Sequence, residues 1–456
     1  MFKLISFYTN KASKVLKKRN LIYQIFALCF MIFLGSCKKE ILMDESTSSS
    51  LKYFQGGSSD KVNKIEKTAD GGFIYCGFTG GDSSDADAFM MKVDANGKKQ
   101  WYKTYGGVYY DEFQHAIQCS DGGYLAVGTT NSYGVGFTNK SLTLNDYIVK
   151  TNANGDEEWV KSYNYTLSQI SHVMETKNHS FVMVGYHRET GNRSISLMQL
   201  LPNGDKEKMR NFRDWDSFPP NKNRKSWNEF SNYVSTADDG SILIAGSMDR
   251  SSRIVEVQQH ITFMSKINPN DFDQVDFFYT YPDYVREPSY WLTMRPLRIP
   301  TTKIINTFDG YYIGTYLEMP GSTMAIQLIK TDLSGHVVWE KKYSGLGSAL
   351  LYTLEKNSDG SLLLVGTSSK DAMNFAFAEA FGNMQTMLLK VDQNGNEIWT
   401  KYAGGSINAN VAKCVQSQSD GGWLVAGFTS ISNTGQDNMM MMKVSKEGEI
   451  LNQWKP

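Results

Sequence analysis

Short apolar runs rich in β-branched and aromatic residues recur along the chain, and each is bounded by Asp, Asn and Gly in turn-forming order. Residues 73–78 follow Asp70, Gly71 and Gly72; residues 124–127 follow Asp121, Gly122 and Gly123; residues 423–426 follow Asp420, Gly421 and Gly422. Runs of this length and composition predict strands, and Asp-Gly or Asn-Gly between them predicts tight hairpins, because those residues tolerate positive φ. A second turn follows in most copies, as at Asn96-Gly97, Asn154-Gly155 and Asn394-Gly395.

Aligning the copies gives seven units, with turn positions Asp70, Asp121, Asn178, Asp239, Asp309, Asp359 and Asp420. Each reads as four strands. Five positions before the turn stand Ile65, Ala116, Val173, Val234, Ile304, Leu354 and Val415, all apolar, as a buried inner strand demands. A Lys recurs on the third strand (Lys92, Lys150, Lys266, Lys330, Lys390 and Lys443, with Gln199 in unit three). It predicts a repeated structural contact, between neighbouring units or with turn carbonyls, in preference to a ring of ligand-binding cations. Trp101, Trp159, Trp339 and Trp399 each follow the second turn Gly by four residues, a regularity that predicts packing between units. Units three and four are degraded, with Asn178-His179-Ser180 in one and Asn268-Pro269-Asn270-Asp271 in the other.

A four-stranded unit cannot bury both faces alone, so the copies must stack. The expected fold is all-β, a seven-bladed β-propeller over residues 51–456. Residues 51–57 align with 101–107 and offer an outer strand that would clasp the ring, but residues 450–454 offer one too, and the pattern does not choose between them. Strand parity places the Asp-Gly turns on one face and the long segments on the other. On that long-loop face, the interblade segments 212–227 and 281–298 carry Trp215, Trp227, Tyr281, Tyr284, Arg286, Tyr290, Trp291 and Arg295. Flat rings beside Arg suit a protein or glycan interface, and they also suit simple pinning of long loops to the rim.

Composition narrows the partners. Lys plus Arg equals Asp plus Glu, 47 of each, so no net field favours nucleic acid. The first residues are a targeting segment: Lys11, Lys14, Lys17, Lys18 and Arg19 precede an apolar stretch, residues 21–34, that is short for a bilayer span. Leu34, Gly35, Ser36 and Cys37 then match the lipobox of bacterial lipoproteins. That resemblance implies a signal peptide over residues 1–36, cleavage before Cys37, a diacylglycerol thioether on its sulfur and a further acyl chain (palmitate) on the new amino terminus. The alternative is an uncleaved signal anchor with an ordinary cysteine. Residues 37–50 form a polar tether that reaches at most about 40 Å. Cys76 stands where other units have Val or Ala and is expected in the core.

Signatures of chemistry are sparse. The six His residues make no metal-binding motif, and neither a nucleophile elbow, a phosphate loop nor a dinucleotide fingerprint occurs, so no cofactor is called for. The Asn-Gly turns lack the Asp spacing of a calcium loop, and Asp82, Asp85 and Asp87 form a close acidic cluster on a loop that offers a candidate metal site. Six positions before the turn stand Lys64, His115, His172, Tyr233, Lys303, Thr353 and Cys414, a polar column on the inner strand. Facing the central channel, it would be either a solvated or self-satisfied lining or the seat of an anion or small ligand.

The repeat, in which Asp-Gly-Gly-Tyr and a small residue before Gly are followed by Lys-x-Asp-x-x-Gly and by Trp-x-Lys-x-Tyr-Gly-Gly as at 101–107, resembles the secreted or lipid-anchored bacterial propellers of Bacteroidota-like envelopes. The resemblance implies the fold, export, and placement at the outer membrane or elsewhere in the cell envelope through a lipid anchor. The expected function is a non-catalytic scaffold that binds a protein or glycan through its long-loop face. The alternative is a glycan-processing hydrolase or lyase, or a quinoprotein-like enzyme, whose catalytic groups would come from separate blades and leave no local motif.

Overall fold

The computed structural model describes residues 51–54, 60–80, 86–134, 145–163, 169–189, 192–212, 224–252, 258–281, 303–319, 323–370, 384–403, 409–430 and 437–451. Residues 1–50, Cys37 among them, lie outside this set, as do Asp82, Asp85, Trp215, Tyr284, Arg286, Tyr290, Trp291 and Arg295. Every regular element described is a strand. The strands make seven four-stranded antiparallel blades in a propeller ring, each run from the innermost strand outward. Blade one uses Lys61–Lys67, Phe73–Thr79, Asp87–Val93 and Lys99–Tyr105; blade two uses Asp111–Gln118, Tyr124–Thr130, Asn145–Thr151 and Glu157–Tyr163. Blades three to six repeat the order from Gln169–Glu175, Arg224–Thr236, Lys303–Thr307 and Ser348–Lys356.

Blade seven settles the closure. Ala409–Ser417, Trp423–Ser430 and Asp437–Val444 are joined by Leu51–Phe54, which pairs antiparallel with Asp437–Val444 from Leu51↔Met442 to Phe54↔Met439. Ile450 makes only an isolated bridge to Val444. The N-terminal segment therefore completes the last blade.

Seven apolar clusters hold the ring, one at each interface between blades. Cys76, Met90, Tyr124 and Tyr147 join blades one and two, for example, and Tyr75, Phe89, Met439 and Met441 join seven and one. Cys76 is thus a core residue. The outer Trp supplies a regular link: the ring of Trp101, Trp159, Trp339 or Trp399 lies against the second turn Gly of the next blade, so closely that a Cβ on Gly204 would meet Trp159 at 2.8 Å. After Trp101, Trp159 and Trp339 a Tyr four residues later donates its hydroxyl to the carbonyl of the same Gly, as Tyr105 does to Gly155 at 2.8 Å and Tyr343 to Gly395 at 2.7 Å; after Trp399 that position is Ala403. In blade four, Phe277 and Tyr279 take the place of Trp against Gly335.

The recurrent Lys makes structural contacts, as expected, and adds a partner the pattern did not name. It pairs with the turn Asp of its own blade, Lys92 with Asp70 at 2.8 Å, Lys150 with Asp121 at 2.7 Å and Lys330 with Asp309 at 2.7 Å, while Lys390 of blade six also lies over the Trp423 ring of blade seven, 5.3 Å from its centroid. Turn carbonyls contribute too, since Lys92 also donates to the Val93 carbonyl at 2.7 Å. The cause is geometric: the Asp-Gly turn sits over the end of the third strand, where the buried ammonium needs a carboxylate. Blade three lacks both partners, and there His179 adopts the positive φ that Gly supplies elsewhere.

Blades three and four depart from the pattern by lengthening. Arg224–Thr236 is thirteen residues long and Ile242–Ser252 eleven, and one parallel pairing, Arg193↔Asn228, merges the two blades into one sheet. The stretch read as an interblade long segment, 212–227, is therefore partly strand. Trp227 pairs with Arg250 inside this hairpin.

Candidate functional site

A β-bulge aims the polar column. Six of the seven innermost strands shift register immediately before the column residue, between Val62 and Lys64, Phe113 and His115, Ile170 and His172, Ser231 and Tyr233, Leu351 and Thr353, and Ala412 and Cys414. One extra residue turns the strand locally and re-aims the next side chain. The inserted Asn63 reaches sideways instead, donating to the Phe113 carbonyl and the Glu112 carboxylate of blade two, both at 2.8 Å.

The re-aimed side chains meet blade to blade around the axis. The carboxylate of Glu66 in blade one lies 3.1 Å from His115 Nε2 in blade two, and the His115 ring stacks on His172 of blade three at 3.9 Å. His172 meets the Tyr233 ring of blade four at 4.7 Å. Lys303 of blade five donates to the Thr353 hydroxyl of blade six at 3.0 Å. Both histidines are buried. A cavity of about 710 Å³ lies over this arc, within the size of ordinary small-ligand sites. Glu66, His115, His172, Tyr233 and Lys303 line it, with Ser120, Gly122 and Glu175 from the Asp-Gly turn end. It thus sits toward the short-turn face, opposite the long segments in which sequence parity placed the ligand site.

The protonation of His115 follows from its partners. The Val173 amide donates to His115 Nδ1 at 3.1 Å, so that nitrogen carries a lone pair and the proton sits on Nε2, where it is donated to Glu66. Burial lowers the pKa of both histidines, that of His172 well below its ordinary value, helped by His115 and Lys64. Burial pushes the Glu66 carboxyl up, but the hydrogen bond from His115 and the charges of Lys64 and Lys303 more than offset it and leave the group well below the usual range. Burial would lower Lys303, yet Tyr233 and Glu66 hold it above its ordinary value.

Glu66, His115 and His172 each offer one ligand atom, all within 4.8 Å of one another. They do not fit a metal ion. A neutral His ligates through its unprotonated nitrogen and donates from the other; in His115 the lone pair at Nδ1 already receives an amide, so ligation through Nε2 would require an imidazolate. The ammonium groups of Lys64 and Lys303 also act on the cluster. The arrangement suits a hydrogen-bonding organic ligand better: a carboxylate, an ammonium, a phenol and a flat imidazole converge on one cavity.

Acid should loosen this centre. Each His has a folded pKa below its unfolded value near 6.5, so the unfolded chain binds more protons as pH falls through that value. Glu66 acts in the same direction, because its contribution is present above the ordinary carboxylate range and is lost below it. Urea unfolding midpoints should fall from pH 7.5 to pH 5.5, and His172→Gln should flatten that slope. A slope unchanged by the substitution would place the titrating group elsewhere.

Of the residues chosen from the long-loop segments, two fall within the described set. Tyr281 ends the outer strand of blade four, is buried, and donates its hydroxyl to the Gly335 carbonyl at 3.1 Å, serving as the interblade tyrosine of its blade. Trp227 lies in a strand. Glu66 was missed because it stands outside the aligned column, where the other units carry Ile117, Met174, Ser235, Ile305, Glu355 and Gln416. Its sequence signal is alternation: two residues beyond Lys64, it shares that side chain's face.

No family model and no curated relative matches the chain by sequence. Solved structures match by shape. An ulvan lyase described as a new family of polysaccharide lyase, bound to -[GlcA(1-4)Rha3S]-, aligns at TM-score 0.50 and 8% identity over 87% of this chain and 97% of its own. The polysaccharide lyase Uly1 aligns at 0.49 and 10% identity, over 90% and 94%. Sqt1 of Chaetomium thermophilum aligns at 0.47 and 10% identity, over 86% and 97%. At these identities the likeness concerns the fold alone.

Proposed function

We propose that this protein is a non-catalytic, lipid-anchored binding protein of the cell envelope, and that its axial cavity seats a small polar ligand, best matched by a saccharide unit. The observation that carries the reading is the convergence of Glu66, His172, Tyr233 and Lys303 on one cavity. Sugar hydroxyls donate and accept at once, which suits a lining that mixes ammonium and carboxylate groups, and the apolar face of a sugar ring suits the flat surfaces of Tyr233 and His172. Two carboxylates (Glu66 and Glu175) and two ammonium groups (Lys67 and Lys303) line the cavity and balance in charge.

Calorimetric titration of the full chain in detergent with a panel of neutral and acidic monosaccharides tests the seat. Tyr233→Ala and Lys303→Met should each weaken binding about tenfold, as loss of one stacking surface or one charged hydrogen bond implies. Affinity unchanged in both variants would move the seat off the axis. The anchor rests on the lipobox at Leu34 to Cys37. Metabolic labelling with a lipid precursor should vanish in Cys37→Ser, and label that persists would refute it.

The long-loop face is proposed as a second contact surface, for a larger glycan or a protein. Its described support is a group between blades one and two. Val108 is 78% exposed, Tyr133 is partly exposed, and the Phe78 and Tyr110 rings lie 5.7 Å apart beside them.

A further inference from the structure

We propose that the axial cavity binds a carboxylate-bearing ligand together with a proton, and that His172 is the group that takes the proton up. The inference rests on the axial seat proposed above and adds the ligand's charge and the linkage.

Charge balance carries the first step. The carboxylates of Glu66, Glu175 and the flanking Glu355 cancel the ammonium groups of Lys67, Lys303 and the flanking Lys64. Several are also committed to protein partners: Lys67 pairs with Glu355 at 2.8 Å, and Glu175 accepts the Ser120 amide at 2.7 Å. A monoanion entering this charge-balanced space would leave it with an uncompensated negative charge, which is costly beside the buried rings of His115 and His172. Uptake of one proton removes that cost.

The hydrogen-bond inventory identifies the carrier. His115 is locked: Nδ1 receives the Val173 amide and Nε2–H is given to Glu66, so a second proton would have to displace the amide. Glu66 is held as the carboxylate by that same bond and by the lysines. Tyr233 is pushed toward its neutral, protonated form by burial and has no proton to gain. His172 is different. It is 94% buried by its 6% relative exposure, its Nδ1 has no hydrogen-bond partner among the described residues, and its ring lines the cavity. The groups facing it are His115 from blade two, Tyr233 from blade four, and at longer range Glu66, Lys64 and Lys303. With the cavity empty, burial and the nearby cations keep the ring neutral. A ligand carboxylate supplies the missing counter-charge, and the imidazole gains one proton from solvent; no other bond is made or broken. The ligand carboxylate, balanced by His172, then lies between that ring and the Lys303 ammonium.

Titration calorimetry of the full chain in detergent decides the matter, run at pH 7 in two buffers of different ionisation enthalpy. The probes are D-glucuronate, D-glucose as its neutral counterpart, and lactate as a simple hydroxy acid. Glucuronate should bind with uptake of about one proton and tighten up to tenfold per pH unit between pH 8 and pH 6, as one linked proton requires; glucose should bind without uptake. Lactate separates a requirement for an acid alone from one for an acidic sugar. His172→Phe, which keeps a flat ring, should abolish the uptake. Glucuronate binding without proton uptake overturns the linkage and leaves the seat standing, as does uptake that survives His172→Phe for the choice of carrier. Binding by none of the three overturns the seat and the linkage together. If His172→Phe fails to fold, the comparison of glucuronate with glucose in the native protein still decides whether a proton accompanies the charge.

Discussion

Gly128→Ala should destabilise the protein by about 3 kcal/mol or more, well beyond the cost of Gly122→Ala six residues earlier in the same repeat. A Cβ at Gly128 would stand 1.8 Å from the Glu112 carbonyl oxygen, inside the bulge that aims His115. Backbone has to move, and the strand that moves carries a piece of the site. At Gly122 a Cβ meets nothing within 4 Å, and the penalty is only that of φ +86° in a turn, about 1 kcal/mol. The same close approach recurs at Gly77, Gly185, Gly366 and Gly427, each against a carbonyl of the innermost strand. The final glycine of the repeat phrase therefore exists for the bulge, whereas the middle one exists for the turn. Urea denaturation of the two variants separates these roles; equal midpoints would show that the bulge can relax at no cost. Gly128→Ala should also disturb the cavity, visible as a changed His172 titration.

How much of this was legible follows from what repeats. The blade count, the inner-strand column at Ile65 and its equivalents, and the Trp packing at 101, 159, 339 and 399 were readable because seven copies turn each local preference into a pattern. The bulge was not readable, since an inserted residue common to most copies leaves their alignment undisturbed. Without it, the aim of the residue at −6 from the turn cannot be read; with it, His115 meets Glu66 of the neighbouring blade at 3.1 Å. The carboxylate partner of the recurrent Lys was not named for a related reason: periodicity shows that Lys92 and Asp70 both recur, but only the fold of the hairpin brings them to 2.8 Å. The lengthened blades three and four evaded the reading because residues 249–252 carry no apolar alternation, although they continue a strand. The long-loop face was chosen on parity and segment length, and neither quantity reports where a cavity forms near the axis.

Deleting residues 51–54 should cost on the order of 4 kcal/mol, from about 1 kcal/mol for each ladder hydrogen bond lost, and should make the protein self-associate. The deletion leaves Asp437–Val444 as an open edge. That strand carries Met439 to Met442, all buried, and Met439 and Met441 belong to the cluster that joins blade seven to blade one. The Tyr75 hydroxyl of blade one donates to the Met440 carbonyl across the same seam at 3.2 Å, so the damage should spread into the first interface. Truncation after residue 449 provides the contrast. It removes one bridge and the packing of Ile450, and should cost less than half as much. Urea unfolding and size-exclusion chromatography measure both effects. A deletion variant as stable and monomeric as the parent would mean that the C-terminal segment can replace the clasp, the second arrangement the sequence offered. In the proposed anchored form the clasp matters more, because the tether runs from Cys37 straight into Leu51. Any pull on the lipid would act on the four residues that close the ring, and the ladder they form with Met439 to Met442 is what would bear it.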